Sequence, residues 1–206
     1  MGSPIASGKS SLGSSTGKPV FVVTGPSGAG KGTLIARVLP RFPELAVAVS
    51  ATTRPQRPGE EDAVHYYFLD RAEFDRRIAA GEFLEWVDYV GNRYGTLLSE
   101  IDRLRGGGKA PVLELETEGA LRVKRKLDGA VTVFVTAPVE ELERRLRERA
   151  TESTGEIGGR IERARRQLAE QSAFDYVVEN DDRDRAAARL GAVVERELAA
   201  ATMARR

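Results

Sequence analysis

Cysteine is absent from the 206 residues, and histidine occurs once, at His65. The first absence excludes a disulfide framework and any thiolate metal site. The second excludes a histidine-rich metal centre. No apolar run approaches the roughly 20 residues that span a bilayer, and the first residues lack the apolar stretch of a signal peptide. Net charge is also nearly missing: 32 Lys and Arg stand against 31 Asp and Glu. Bulk electrostatics therefore give no hold on nucleic acid or a membrane, and any anion must be gripped by a local cluster. The expectation is a soluble, cytoplasmic protein that partners with neither nucleic acid nor membrane.

The chain is long enough for one domain with a real core and an inserted lobe. Residues 1–18 are mostly Gly, Ser and Lys, with too little apolar surface to offset ordering entropy, and read as a flexible tail before a domain over 19–206. Within the tail, Gly8-Lys9-Ser10 imitates the end of a phosphate loop but has no leading strand or upstream glycine. Residues 20–24 form a short β-branched run, and helical spacing follows at 34–39. Similar runs at 112–115, 131–135 and 176–178 alternate with charged helical stretches at 121–127, 139–149, 157–171 and 183–198. Such alternation predicts an α/β fold with a parallel sheet covered by helices. Residues 50–96 differ, being rich in Pro, Gly and Tyr, and read as an inserted lobe of short strands with a helix near 71–80.

Between the first strand and the first helix lies Gly25-Pro26-Ser27-Gly28-Ala29-Gly30-Lys31-Gly32-Thr33. Glycines let backbone N–H groups curl around phosphate oxygens, the helix N-terminus adds partial positive charge and Lys31 a full one. Strand before and helix after are the context this motif requires. Gly32 stands where Ser or Thr commonly gives a hydroxyl to Mg²⁺, so Mg²⁺ is expected to lean on phosphate oxygens and water.

Downstream, Arg54 and Arg57 lie three apart in a turn-rich stretch and can grip a dianionic phosphate with fork geometry, although a solvated basic loop reads equally well from these residues alone. The string Ser50-Ala51-Thr52-Thr53-Arg54-Pro55-Gln56-Arg57-Pro58-Gly59-Glu60, with His65-Tyr66-Tyr67-Phe68, Glu85-Trp86 and Asn92-Arg93-Tyr94-Gly95-Thr96, closely resembles the guanylate kinase family. The resemblance runs from about residue 19 to 198. It implies a P-loop NTPase-type sheet with an inserted GMP-binding lobe at about 50–96 and a helical lid at about 145–165. The substrates it implies are ATP, with Mg²⁺, and GMP. By the same resemblance Arg54, Arg57, Tyr66 and Tyr94 hold the GMP phosphate, while Ser50, Glu85 and Thr96 face the guanine. Arg145, Arg149 and Arg160 clamp the transferring phosphoryl group, and Asn180 lies beside the ATP adenine.

The match is looser after the run at 112–115, where the family usually has an aspartate at position 116 and a glutamine at 118. Here Glu114, Glu116 and Glu118 alternate. Three carboxylates there can repel one another or jointly attract Mg²⁺. The implied reaction, ATP plus GMP giving ADP plus GDP, needs no general base, because a phosphate monoester is largely ionised above its second pKa of about 6. Two alternatives stay open at this point. One is a non-catalytic interaction module of the same fold, and the other is a related kinase for a phosphorylated sugar.

Overall fold

A computed structural model describes residues 18–148 and 154–204. Five parallel strands make the central sheet: β1 (Val20–Thr24), β2 (Leu45–Val47), β7 (Ala110–Glu114), β8 (Ala130–Thr136) and β9 (Tyr176–Glu179), in the spatial order β2-β7-β1-β8-β9. β1 sits in the middle and is buried along its whole length. Its alternation decides which helices cover which face. Phe21 and Val23 pack with Ile35, Leu190 and Val194, from α1 (Lys31–Val38) and α7 (Arg183–Met203). Val20 and Val22 pack with Ile101, Ala120 and Val123, from α3 (Leu98–Gly106) and α4 (Thr117–Lys126). Burial on both faces is why these strands read as unbroken apolar runs.

The chain leaves this sheet after β2 and returns through α3. Between them a second sheet forms from β3 (Ala51–Thr52), β4 (Tyr67–Phe68), β5 (Phe83–Tyr89) and β6 (Asn92–Leu97), ordered β4-β3-β6-β5. Ala51, Phe74, Phe83 and Leu97 are its small core, and the Phe74 and Phe83 rings stack at 4.4 Å. The lobe helix α2 (Arg71–Ala79) begins where Asp70 accepts a hydrogen bond from the Glu73 N–H at 2.7 Å, an N-cap that removes one orphan donor.

The remaining helices are α5 (Val139–Glu148) and α6 (Thr154–Ala169). Several boundaries move from expectation, α1 beginning at Lys31 rather than 34 among them. α4 begins at Thr117 rather than 121, α6 at Thr154 rather than 157, and α7 runs on to Met203 rather than 198. α3 and the three-residue β2 were not anticipated. β2 is too short for alternation to mark it, and α3 follows β6 directly with Leu97, which has no capping side chain, at its N-cap. The tail at residues 1–17 lies outside the described residues, as does Arg149.

Candidate functional site

The carboxyl ends of the central strands meet along one edge, the place where open α/β sheets bind ligands. β1 delivers the loop at 25–33, β7 delivers Glu114, and β9 leads into Asn180. Gly25 has φ +134, and any Cβ there would run into the Val135 carbonyl oxygen, so only glycine permits this turn out of β1. Lys31 curls over its own loop, its Nζ donating to the Gly25 carbonyl at 2.8 Å and the Pro26 carbonyl at 3.3 Å. The loop is braced from behind. Asn180 is buried and its Nδ2 donates to the Ala29 carbonyl at 2.7 Å, while Arg145 donates to the Gly28 carbonyl at 3.2 Å and the Asn180 carbonyl at 3.4 Å. Glu141 in turn fixes Arg145 at 2.7 Å, and the carboxyl of Glu141, gripped by Arg144 and Arg145, falls to about 2.

Two of the expected site residues bind the loop itself: Asn180 is turned onto it, leaving its Oδ1 buried without a hydrogen-bond partner among the described residues, and Arg145 holds the Gly28 carbonyl. Their positions late in the chain hid this, because nothing in the local sequence shows which strand end they join.

A cleft of about 420 Å³ opens between the loop and the lobe, within the range of small-molecule sites. Of the residues expected at the site, Lys31, Ser50, Tyr66, Glu85, Tyr94 and Glu116 line it. Tyr66 and Tyr94 meet edge to face at 6.1 Å, and Tyr94 meets Tyr89 at 6.2 Å, giving the cleft an aromatic wall. Arg54 lies behind that wall with its guanidinium 5.3 Å from the Tyr66 ring centre. It donates to Glu60 at 2.7 Å, and the other oxygen of Glu60 accepts from the Arg57 backbone N–H at 2.8 Å. The two arginines do not converge as expected: Arg57 is exposed and is not part of the cleft lining, its place beside Arg54 being taken by Glu60.

Glu85 is strongly perturbed. Carried inward by β5, it is 2% exposed and accepts a hydrogen bond from the Thr96 hydroxyl at 2.9 Å. Burial raises its carboxyl to about 7, against the smaller opposing effects of Thr96, Arg122 and Lys126. Thr96 therefore stands behind Glu85 rather than lining the cleft, because β6 pairs Thr96 directly with Glu85 across the sheet.

Gly119, in the first turn of α4, makes room for that carboxylate: a Cβ on it would sit 2.7 Å from Glu85 Oε2. In Gly119→Ala the methyl group displaces the Glu85 carboxylate, although alanine is the better helix former by about 1 kcal/mol. The resemblance puts Glu85 on the guanine, so steady-state kinetics should show KM for GMP raised about 10-fold or more, the loss of one charged hydrogen bond, with KM for ATP unchanged.

The three carboxylates after β7 do not act together. Glu118 is exposed and pairs with Arg122 on the outside of α4. Glu114 and Glu116 remain in the cleft, where burial first, and then Glu116, raise the Glu114 carboxyl while Lys31 lowers it. Helix α4 starting at Thr117 is the cause: Glu116 is its N-cap position, and Glu118 is already rotated away. The extra methylene of Glu116 over aspartate finds a use, since its Oε2 accepts from Gln167 of α6 at 3.2 Å. Gln167 also donates to the Thr117 hydroxyl at 2.7 Å. Gly32 likewise has a counterpart. A Cβ there would lie 3.1 Å from Glu114 Oε2, so the missing side chain leaves space that the Glu114 carboxylate borders.

On α6, Arg163 lies 5.4 Å from the ring centre of Tyr89, and Arg160 is half-buried nearby, both acting electrostatically on that phenol. Glu114, Tyr89 and His65 line the cleft but were not among the expected site residues. Glu114 carried a signal as one of three alternating carboxylates and His65 as part of the string 65–68, while Tyr89 carried none.

A glycine-rich loop and lysine after a central parallel strand, facing a carboxylate-lined cleft in an inserted lobe, define a P-loop kinase of small phosphorylated molecules. The Guanylate kinase family model matches residues 17–197. Guanylate kinase of Synechococcus elongatus is 47% identical over 176 residues, covering 85% of this chain and 96% of that protein. Guanylate kinase of Rubrobacter xylanophilus is 48% identical over 168 residues, covering 81% and 88% respectively. Among solved structures, the guanylate kinase of Anaplasma phagocytophilum superposes with a TM-score of 0.69 at 27% identity, covering 89% of this chain and 87% of that one. The chain belongs to the guanylate kinase family, and its activity is the ATP-dependent phosphorylation of GMP.

Proposed function

We propose that the cleft takes GMP with its base at Glu85 and its phosphate toward Arg54, Tyr66 and Tyr94, while the loop at 25–33 holds the phosphates of ATP. The observation that carries this reading is Glu85, a buried carboxylate at the cleft's end. Guanine presents two adjacent donors, N1–H and N2–H₂, to such an acceptor. Adenine lacks that pair and would leave the carboxylate unpaired, at a cost of about 1–3 kcal/mol. The ribose hydroxyls play no part in that discrimination, so dGMP is accepted too.

Lys31 leaves the Gly25 and Pro26 carbonyls to meet phosphate oxygens, and Arg160, with Arg149 outside the described residues, closes over the transferring group from the lid. Arg54 exchanges part of its pairing with Glu60 for the GMP phosphate, and Arg57 has to move inward to join it. One oxygen of that phosphate forms the new bond to the γ-phosphorus as the bond to the ADP oxygen breaks, with no proton to remove. For a divalent cation Glu114, facing Lys31 and the gap at Gly32, would be one carboxylate ligand, with phosphate oxygens and water completing the set. Bound there, Mg²⁺ would supply neutralisation of the phosphate charge. With diffusible nucleotides as substrates, the protein works in the cytoplasm.

ADP formation measured with GMP, dGMP, AMP, UMP and ribose 1,5-bisphosphate as acceptors tests the assignment. GMP and dGMP should exceed AMP and UMP by at least about 10-fold, the value of the Glu85 contacts. A sugar phosphate as best acceptor, or no acceptor-dependent ADP at all, rejects it.

A further inference from the structure

The polypeptide passes between the two sheets twice, outward through residues 48–50 and back at the start of α3. On the outward pass, each residue's backbone is bound to a different body. The Ala48 N–H donates to the Val112 carbonyl of the central sheet at 2.9 Å, and the Ser50 carbonyl accepts from the Tyr67 N–H of the lobe at 2.9 Å. Between them, the Val49 N–H donates to a side chain, Glu100 Oε1, at 3.0 Å.

Glu100 belongs to the return pass, in the first turn of α3, and its side chain is fully buried. Its second oxygen accepts from the Tyr67 hydroxyl of the lobe at 3.0 Å. Arg103, one turn on, closes over both oxygens with a fork of two 2.8 Å hydrogen bonds. Both crossings and a lobe strand therefore converge on one carboxylate.

We infer that Glu100 is the pivot on which the lobe turns against the central sheet, a positioning residue that sets how the acceptor phosphate meets the loop at 25–33. A backbone ladder at this point would lock one orientation. A carboxylate offers two oxygens with broad acceptor directions, so the Val49 amide and the Tyr67 hydroxyl stay paired while the lobe rotates. Burial pushes the Glu100 carboxyl up, but the Arg103 fork, the Val49 amide and the Tyr67 hydroxyl outweigh it and hold the group below the usual range. The pivot is thus charged at neutral pH. Ala48 and Ser50, on either side of Val49, line the cleft, so a shift at the pivot is delivered to the substrate directly.

The inference rests on the kinase reading above and is tested with the intact protein. Tyr67→Phe removes the lobe's tie alone, and Glu100→Gln keeps the shape but loses the charge that Arg103 needs. In Tyr67→Phe, kcat with GMP should fall about 10-fold from misplacement of the acceptor, with KM for ATP within about twofold of wild type. Glu100→Gln should lose more. Small-angle scattering should show that the contraction produced by GMP with a non-hydrolysable ATP analogue is reduced in both. A purely structural role would lower the melting temperature and leave kcat and the contraction as in wild type, and that result overturns the pivot. Where Glu100→Gln fails to fold, wild-type kcat and contraction in Tyr67→Phe overturn it alone. A wild-type protein without acceptor-dependent ADP formation rejects the kinase reading instead, and the scattering comparison then judges the pivot.

Discussion

Lys31→Ala is expected to lower kcat by at least about 10²-fold, the cost of removing one preorganised donor to a charged transition state, and to leave the fold intact. The structure explains why the two effects separate. Lys31 is the first residue of α1, and among the described residues its Nζ donates to carbonyls of its own loop, at Gly25 and Pro26. Losing those contacts costs about 1–3 kcal/mol, because Gly25 and Pro26 are buried and their carbonyls lose a charged donor. Circular dichroism like wild type and a melting temperature lowered by only a few degrees, alongside collapsed ADP formation, are the expected pair of results. Substantial turnover in the folded variant would show that phosphate charge is met elsewhere, with Arg145 the nearest cation bound to the loop.

The second large effect concerns Glu85. Glu85→Gln should raise KM for GMP about 10–100-fold, since an amide offers guanine one acceptor and one mismatched donor. Its effect on stability runs the other way. The Glu85 carboxyl sits at about 7 in the folded protein against an ordinary value of 4.5. A raised folded value means that the native state holds its proton more tightly, so this group's contribution to stability is fully present below pH 4.5 and falls as pH rises towards 7. By pH 8 the free protein bears the whole cost of an ionised buried carboxylate, on the order of 3 kcal/mol. Glutamine removes that cost, and the variant without ligand should melt at the same temperature or higher at pH 8. GMP binding requires the ionised form, so KM for GMP in the wild type should climb as pH drops below about 7. The acceptor's own phosphate titrates near pH 6 in both proteins. The extra climb in wild type over Glu85→Gln is therefore the readout, and identical profiles would remove Glu85 from guanine recognition.

Strand, loop and first helix were legible because they are contiguous: the β-branched run, the glycines and Lys31 lie within 20 residues. The lobe was legible through Ser50, Tyr66, Glu85 and Tyr94, whose order carries the family resemblance. What escaped depended on rotation and distance. Glu116 and Glu118 look equivalent in a line of letters, but a helix starting at Thr117 turns one into the cleft and the other to solvent. Arg54 and Arg57 look like a pair, yet Glu60 supplies Arg54's partner, since the turn between them brings residue 60 back. Glu100, Gln167 and Asn180 each act on segments 50 or more residues away, and no local pattern announces such a partner.

The brace behind the phosphate loop bears on how the protein comes into being. The loop is synthesised well before its braces: the Ala29 carbonyl finds its partner 151 residues later, at Asn180, and Gly28 waits 117 residues for Arg145. β1 itself is a central strand whose neighbours, β7 and β8, are made long after it. At a translation rate of about 5–20 residues per second, the nascent loop spends on the order of ten seconds or more with neither brace in existence. Nucleotide grip is therefore acquired only once Arg145 and Asn180 have emerged, and ATP rewards the assembled sheet rather than the lone first strand.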